Sequence, residues 1–439
     1  MDSPSLIIEN GTILTMDAHL TLIPKGHIVV AEKYISAIGS GPSPQIPGAA
    51  VMDARGGLIL PGLVNAHTHA AMTLFRGLAD DLPLMEWLTH YIFPVEARMN
   101  ADFVSIGTSL ACAEMIRSGT TTFCDMYLFE EAVAQAAADA GMRCLVGEVL
   151  YDFPSPNYGP IDAGFAYTER LIEKWHGHPL VSIAVEPHAP FTCSPDLLRR
   201  ANEMALKHGT PLILHVAETK NEVAQIIEKY GKPPVAFLDG LGLLGPHLIA
   251  DHCVHLSEVE INRMAETGAA VVFNPQSNMK LASGIAPVPE FLKKGVRVGL
   301  GTDGCASNND LDMFGEMDMA AKLPKVGTLD PTVMDAVTVL KMATIGGAGV
   351  LGLDQRIGSL EAGKEADIIV VDTRAPHLTP MYNPYSHLVY AARGSDVIHS
   401  IIAGRVVMED QRLKTMDVEH VMANAHEMAQ KVREWTTGS

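Results

Sequence analysis

The sequence lacks cysteine motifs, long apolar runs and a signal peptide, each of which would indicate a particular class of protein. Its 439 residues include only six cysteines, none of them in a C-x-x-C pair, so neither a disulfide scaffold nor a thiolate metal site is indicated. No run of about 18 apolar residues occurs, and no membrane-spanning helix is predicted. The N-terminus lacks the basic and apolar segments of a signal peptide. These absences predict a cytoplasmic protein with buried, reduced thiols and no membrane partner.

Positive charge is also scarce. The chain carries 32 Lys and Arg against 51 Asp and Glu, and its formal net charge is −19. Such a surface repels polyanions, which argues against nucleic acid as a partner but not against a small nucleoside or base. With 47% hydrophobic residues, the chain can bury a large core and form more than one domain.

Strand-like runs occur at both ends of the chain. Residues 6–8, 12–14, 27–30 and 34–38 are separated by turn signals such as Asn-Gly and Pro-Lys-Gly, and the pattern returns at 367–371 and 397–407. Neither set is long enough for a core of its own. We therefore expect one small β domain built from residues 1–61 and 353–439, which also contain a polar, helical tail.

The segment between them, residues 62–352, alternates apolar runs with helical stretches. The eight runs are 63–66, 120–124, 143–146, 181–185, 211–214, 248–251, 270–273 and 297–300. One intervening helix is marked by Ser194 at an N-cap position, followed by Pro195. Strands that are apolar on both faces suit a parallel sheet covered by helices. Eight β/α units predict an α/β fold with a (β/α)8 TIM barrel.

Polar residues stand at or just after the end of each run. They are His67 and His69, Asp125, Glu148, His188, His215, His252, Asn274 and Asp303. In a barrel the carboxyl ends of all strands meet at one face, where enzymes of this fold carry out their chemistry. A lone histidine is most simply a buried structural residue, but so many polar groups at one end indicate an active site.

A metal site is predicted among these residues. His67-Thr68-His69 places two imidazoles on the same side of an extended strand, and His215 and Asp303 can complete the coordination. Three imidazoles and one carboxylate suit zinc with a position left for water, although iron or manganese could replace it chemically. The rival patterns H-x-E with P-C-x-x-C and H-E-x-x-H are absent.

These motifs resemble the amidohydrolase superfamily and, within it, the 5-methylthioadenosine/S-adenosylhomocysteine deaminases. The segments that carry the resemblance are 61–69, 85–87, 94–96, 215–219, 251–256, 274–278 and 301–309. The resemblance implies a barrel with a β-sandwich formed by both termini, and zinc on His67, His69, His215 and Asp303. Members with two metals usually carry a bridging lysine after strand four, where this chain has none. One zinc ion per chain is therefore expected.

The resemblance also implies a reaction, the hydrolytic removal of the amino group of an adenine nucleoside with release of ammonia. Zinc lowers the pKa of water toward neutrality. Asp303 takes the proton of that water, Glu218 in its protonated form donates to a ring nitrogen, and His252 hydrogen-bonds the developing oxyanion. We interpret His255 as structural and assign no chemistry to Asp125 or Asn274.

Substrate-binding residues follow from the same resemblance. Glu96 is expected to bind the ribose hydroxyls and His188 the purine, with Glu218 and Asp303 also contacting the ring; Trp87 packs either on the base or in the core. Relatives that accept S-adenosylhomocysteine often carry arginines after strand three, but residues 147–158 contain none. This departure favours an uncharged 5′ substituent, as in 5′-methylthioadenosine.

Two alternatives remain open. An s-triazine or guanine-type aminohydrolase could use the same barrel, although Glu96 and His188 make more sense for a nucleoside. A non-catalytic pseudoenzyme is disfavoured because every expected ligand and proton-transfer residue is present. The predicted partner is a small purine nucleoside, and relatives of this kind commonly form homo-oligomers.

Overall fold

The computed structural model describes residues 4–82 and 88–437. Strands from both ends of the chain join in one nine-stranded sheet. These strands are β1 (Pro4–Leu14), β2 (Leu22–Ala31), β3 (Tyr34–Ser40), β4 (Ala50–Asp53), β5 (Leu58–Pro61), β15 (Ile368–Val371), β16 (Val397–Ile402), β17 (Arg405–Glu409) and β18 (Arg412–Leu413). Their order is β18-β17-β16-β15-β5-β1-β2-β3, with β4 also paired to β1. Strands from the two ends of the chain therefore share a sheet.

The first two predicted turns are wrong. Asn10-Gly11 and Pro24-Lys25-Gly26 lie inside β1 and β2, and the register of the two strands shifts around Gly11. Asn10 and Lys25 both adopt positive φ, 60° and 50°. An extra residue with positive φ makes a β-bulge, which bends a strand without ending it. Residues that favour turns thus produce irregularities in a continuous antiparallel pair.

All eight apolar runs of the central segment are strands. They are β6 (Leu63–Thr68), β7 (Thr120–Tyr127), β8 (Arg143–Leu150), β9 (Val181–Ile183) with β10 (Glu186–Pro187), β11 (Leu212–Val216), β12 (Leu248–His252), β13 (Ala270–Phe273) and β14 (Arg297–Leu300). They form a five-stranded sheet, β10-β8-β7-β6 with β9 on β8, and a four-stranded sheet, β11-β12-β13-β14, with parallel pairing throughout. The fourth run is divided, because residues 184–185 interrupt it.

Helices follow most of these strands. In the described residues the α-helices are Phe93–Glu96, Ala101–Arg117, Glu130–Ala140, Ile161–Trp175, Pro195–His208, Lys220–Tyr230, Pro234–Gly240, Glu258–Thr267, Pro275–Lys280, Val288–Lys293, Met313–Thr328, Ala336–Met342, Ile345–Val350, Pro384–Tyr390 and Val418–Thr437. The predicted cap is present, since the Ser194 side chain accepts a hydrogen bond from the Leu197 amide. Alternating strands and helices give an α/β fold with parallel sheets.

The two parallel sheets contact each other at both edges. At one edge the amide of Ile213 donates to the carbonyl oxygen of Val185 at 3.0 Å. At the other, the amide of Asp303 donates to the carbonyl oxygen of His67, also at 3.0 Å. These contacts bring the carboxyl ends of β6, β11, β12 and β14 to one region of the molecule.

Arg143, at the start of β8, connects the parallel strands to the terminal sheet. Its guanidinium is buried and donates to both carboxylate oxygens of Asp367, at 2.9 and 3.1 Å, and to Glu365 at 2.7 Å. The predicted C-terminal helix is present as Val418–Thr437, and Trp435 contacts the ring of Phe103 on the helix Ala101–Arg117. Among the helices of residues 4–82 and 88–437, none has the length and hydrophobicity needed to cross a bilayer.

Candidate active site

Three imidazoles and one carboxylate converge where strands β6, β11 and β14 end. His69 Nε2 lies 3.2 Å and His67 Nε2 lies 3.7 Å from Oδ1 of Asp303. The ring of His215 is centred 5.0 Å from that of His67 and 5.5 Å from that of His69. These four residues come from distant parts of the sequence, and strand pairing brings them together.

The outer nitrogen of each imidazole is engaged. His215 Nδ1 donates to the carbonyl oxygen of His188 at 2.9 Å, and His69 Nδ1 donates to that of Met126. His67 Nδ1 lies 3.2 Å from Oδ2 of Asp251. Such contacts fix the tautomer and leave Nε2 with a lone pair for a metal ion. His67 Nε2 is buried without a hydrogen-bond partner, which is costly unless an ion occupies the site. The residues therefore fit a divalent metal.

The backbone around this cluster is strained. His252 and Asp303 have φ of 68° and 62°, and Ala217, between His215 and Glu218, has φ of 51°. Residues other than glycine adopt this region at an energetic cost and do so preferentially at functional sites. The turns that follow β11, β12 and β14 thus place side chains for function at the expense of local stability.

Glu218 reaches the cluster from the turn after β11. Its Oε1 accepts a hydrogen bond from Ser283 Oγ at 3.2 Å, and its Oε2 lies 3.9 Å from Nε2 of His252. Burial raises the pKa of Glu218 well above its usual range, and the negative charges of Glu222 and Asp303 raise it further. This environment favours the protonated form of the carboxyl group, which is the form that can donate a proton.

His252 lies beside the cluster as a neutral imidazole. Its Nδ1 lies 2.9 Å from Nδ2 of Asn278 and 3.4 Å from Nδ2 of Asn274, and both amides can donate to it. Burial lowers the pKa of His252 to about 3. With Nδ1 accepting, the proton of the neutral ring is on Nε2, the nitrogen that faces Glu218. The ring can therefore donate a hydrogen bond into the site.

Asp303 is fixed by two donors. Ser277 Oγ donates to Oδ2 at 2.6 Å, and the amide of Gly304 donates to Oδ1 at 2.8 Å. Oδ1 is also the oxygen that approaches His67 and His69. The carboxylate thus presents one oxygen to the imidazoles while the other is held by serine.

The predicted nucleoside-binding residues lie beside the imidazoles. Tyr127 donates its hydroxyl proton to Oε1 of Glu96 at 2.7 Å, and its ring is centred 5.9 Å from that of His69. Burial raises the pKa of Glu96. The ring of His188 is centred 5.0 Å from that of His215, and burial lowers the pKa of His188 to about 4. Trp87 lies outside the described residues.

Two other polar residues of the predicted set have different surroundings. Asp125 accepts from the Thr68 hydroxyl and the Ala70 amide, so it holds the His67–His69 segment in place. Glu148 was expected at the common face, but it accepts from the amide of Glu130 at 3.0 Å and from Asn157 at 2.8 Å. It lies two residues before the end of β8, and the groups able to hold a metal do not include it.

Sequence reasoning missed the residues that hold the expected ones. Asp251, Ser277 and Asn278 stand within recognised motifs, and their position beside the predicted ligands was a usable signal. Tyr127 and Ser283 carried no such signal, because each contacts its partner only through the fold.

Comparison with known proteins agrees with this geometry. The amidohydrolase family matches residues 58–407. A 5-methylthioadenosine/S-adenosylhomocysteine deaminase from Syntrophobacter fumaroxidans is 60% identical over 430 residues, 98% of either chain. A 5′-deoxyadenosine deaminase from Methanothermobacter thermautotrophicus is 44% identical, covering 98% of this chain and 99% of its own. The crystal structure of an adenosine deaminase from Xanthomonas campestris with bound zinc is 41% identical, with a TM-score of 0.96 over 98% of this chain and 99% of that one.

Proposed function

Because the chain belongs to the amidohydrolase family, we propose that it is a metal-dependent hydrolase that deaminates adenine nucleosides. Its substrates are 5′-methylthioadenosine, converted to 5′-methylthioinosine, and S-adenosylhomocysteine, converted to S-inosylhomocysteine. The observation that carries the proposal is a pair of overlapping groups able to hold a metal, His67 with His69 and Asp303, and His67 with His215 and His252. They lie beside Glu218, whose pKa is raised by burial, in a chain 60% identical to a named deaminase of these two nucleosides.

The reaction is a hydrolysis. One water molecule enters, a bond forms between its oxygen and C6 of the purine, and the bond between C6 and the exocyclic nitrogen breaks. Ammonia leaves, and no oxidant or reductant is consumed. The protein must therefore bind the ring, accept a proton from water, and deliver protons to the ring and to the leaving nitrogen.

The proposed cofactor is one zinc ion per chain, held by His67, His69, His215 and Asp303. When bound, zinc lowers the pKa of water enough to supply hydroxide at neutral pH. Three histidines and a carboxylate with one open position suit a catalytic zinc site. Residues 181–186, at the end of strand four, contain no lysine that could bridge two metals, which supports a single ion. Elemental analysis giving two ions per chain would overturn this count.

Two residues carry the proton transfers in this proposal, and a third donates a hydrogen bond. Asp303 accepts one proton of the attacking water through Oδ1, the oxygen nearer the imidazoles, and delivers it to the leaving nitrogen. The second proton of that water replaces the one that Glu218 gives to the ring. Glu218 donates its proton to a ring nitrogen, which lets the ring accept electrons during attack. His252 donates a hydrogen bond from Nε2 to the oxygen that develops negative charge. Asp303 and Glu218 also contact the bound ring in this arrangement.

Glu96 and His188 define the nucleoside end of the site. Tyr127 occupies Oε1 of Glu96, which leaves Oε2 for the ribose hydroxyls. Tyr127 already supplies a hydroxyl partner to this carboxylate, so the burial of Glu96 does not by itself require ribose. His188 is neutral and contacts the purine, and Trp87 stays a prediction for the base.

The surroundings of the 5′ substituent favour an apolar group. After β8, Tyr151 and Phe153 stack with ring centroids 3.9 Å apart, and no arginine occurs before Arg170. Arg170 lies over the ring of Tyr167, on the helix Ile161–Trp175. A carboxylate brought to this aromatic surface loses hydration without gaining a cation. 5′-Methylthioadenosine, and 5′-deoxyadenosine with its methyl group, should therefore react better than S-adenosylhomocysteine.

A side-by-side assay tests the substrate. Deamination of the three nucleosides is followed by the absorbance change from adenine to hypoxanthine, with guanine and an amino-s-triazine as competitors. A higher kcat/KM for S-adenosylhomocysteine than for 5′-methylthioadenosine would refute the arginine argument. Activity on guanine or the triazine alone would favour the alternative aminohydrolase. No activity on any compound at full metal occupancy would favour a pseudoenzyme.

Glu96→Ala provides an independent check of the ribose assignment. It should reduce kcat/KM for 5′-methylthioadenosine far more than for free adenine, the internal control that lacks ribose. Equal losses would mean that Glu96 supports the fold or Tyr127 and does not bind ribose.

The domain organisation belongs to the same proposal. Residues 62–352 form a closed eight-stranded barrel, and residues 1–61 with 353–439 form a β-sandwich. The hydrogen bonds between Ile213 and Val185, and between Asp303 and His67, support closure. Cytoplasmic location and homo-oligomer formation stay predictions, the former supported by six buried free cysteines.

A further inference from the structure

Ser283 is held from three sides in the turn after the helix Pro275–Lys280. Its amide donates to the carbonyl oxygen of Asn278 at 2.9 Å, and its carbonyl oxygen lies 2.7 Å from Nε2 of His255. Its hydroxyl donates to Oε1 of Glu218 at 3.2 Å. The residue is 8% exposed. These contacts hold the backbone of Ser283 in place, and with it the hydroxyl that contacts Glu218.

The backbone next to Ser283 closes the turn tightly. Gly284 has φ of +135°, and a Cβ there would lie 2.9 Å from Cγ1 of Val254 and 3.2 Å from Cε1 of His255. Only glycine fits both the conformation and the space. His255, which we interpreted as structural, thus supports the position of Ser283.

Donation from Ser283 distinguishes the two oxygens of Glu218. An oxygen that already accepts a hydroxyl proton is the poorer site for the acidic proton, which is favoured on the other oxygen. That other oxygen, Oε2, is the one nearer His252, 3.9 Å from its Nε2. We propose that Ser283 is a positioning residue that orients Glu218 so that its transferable proton is carried on Oε2, facing the bound purine.

The neighbouring contacts of the same segment follow one pattern. Ser277 donates to Oδ2 of Asp303, and Asn278 donates to Nδ1 of His252. Each donor contacts one of two polar atoms of its partner, Oδ2 of Asp303 or Nδ1 of His252, and no donor of this segment contacts the other atom. The segment 277–283 therefore supplies one donor to each of the three residues that transfer protons or hydrogen-bond the oxyanion. The inference for Ser283 rests on the proposed function of Glu218.

The first test compares Ser283→Ala with the wild-type enzyme on 5′-methylthioadenosine. We expect kcat to fall about tenfold, KM to change less than about twofold, and bound metal to stay constant, because the hydrogen bond orients a group used in the chemical step. Ser283→Thr keeps the hydroxyl and should recover most of kcat. Ser359→Ala is the matched control, since Ser359 donates to Glu361 at 2.6 Å in the C-terminal part of the chain. It should leave kcat unchanged.

A double-mutant cycle separates positioning from general structural damage. In a Glu218→Gln background, Ser283→Ala should cause little further loss of kcat, because Ser283 acts through Glu218. An additional tenfold loss there would overturn the proposal, as would unchanged kcat or loss of metal in Ser283→Ala alone. If the alanine variant does not fold, Ser283→Cys keeps the size with a weaker donor and should show a smaller loss of kcat. Unchanged kcat in the cysteine variant would overturn the proposal.

These outcomes are distinct from failure of the proposed function. A metal-loaded wild-type enzyme without activity on any nucleoside would refute the function itself. An active wild-type enzyme that tolerates Ser283→Ala would refute only the role of Ser283.

Discussion

Glu218→Gln removes a proton while preserving the shape of the side chain. Glu218 contacts Ser283 and faces His252, and neither residue is among the four proposed ligands. Metal binding should therefore persist. The glutamine amide can still hydrogen-bond to the ring but cannot transfer a proton, so the variant loses general acid catalysis alone. Such losses are about 10²- to 10⁴-fold in rate, equivalent to about 3–5 kcal/mol on the activation barrier.

The pH dependence gives a second measure of the same variant. Burial raises the pKa of Glu218, so its proton is kept to higher pH than in an exposed glutamate and is lost as the pH rises through the raised pKa. The wild-type rate should therefore fall on the alkaline side as the donor ionises. Glu218→Gln has no such ionisation, and this alkaline decline should be absent from its residual rate.

Glu222→Gln is the matched control. Glu222 is the neighbouring carboxyl in the first turn of the helix Lys220–Tyr230. It accepts from the amide of Glu218 at 3.2 Å, and burial raises its pKa to about 7. The same chemical change there should alter kcat only a few-fold. The assay is initial rate on 5′-methylthioadenosine with metal content measured on the same sample. Near-normal turnover of Glu218→Gln at full metal occupancy would refute its role as proton donor.

Three further substitutions test other parts of the structure. Arg143→Met leaves Asp367 buried without its cation and should cost about 3–5 kcal/mol in urea unfolding, whereas an unchanged midpoint would refute a role in joining the sheets. Asp251→Asn weakens the contact to His67 and should reduce metal affinity about 10- to 100-fold in chelator competition. Unchanged affinity would contradict a role of Asp251 in supporting His67. Burial raises the pKa of Glu148 to about 7 from 4.5. The folded protein therefore binds the Glu148 proton more tightly than the unfolded chain does. The resulting contribution to the free energy of unfolding is complete below pH 4.5 and is lost as the pH rises through about 7. Glu148→Gln should raise the thermal midpoint at pH 8 but not at pH 4, and equal shifts would refute the argument.

The strands of the central segment were predictable because their signal is local. Each run is apolar on both faces, and a parallel sheet buried between helices requires that composition. The prediction of the terminal strands was less accurate at Asn10-Gly11 and Pro24-Lys25-Gly26, where turns were expected. The same residues allow either a turn or a bulge, and only the pairing of β1 with β2 decides between them. Long-range pairing is not encoded in a window of a few residues.

The proximity of the proposed metal ligands was predictable for a different reason. Side-chain alternation in a strand puts His67 and His69 on one side, and parallel strands bring His215 and Asp303 to the same end of the sheet. Glu148 shows where this reasoning fails. It stands near the end of a strand, as the ligands do, but its carboxylate is used by the amide of Glu130 and by Asn157. Position along a strand does not identify the partner of a side chain.

The donors that orient the proposed catalytic groups have a common origin that no pairwise motif reveals. Glu218, His252 and Asp303 follow three different strands, but their anchors Ser283, Asn278 and Ser277 all belong to the segment after β13. A shift of this segment would disturb all three reacting groups together. Substitutions within it should therefore combine non-additively with substitutions of the groups it holds, whereas two substitutions on separate strands without a shared anchor should add. The arrangement of the proposed catalytic groups therefore depends on residues 277–283 together with the ends of β11, β12 and β14.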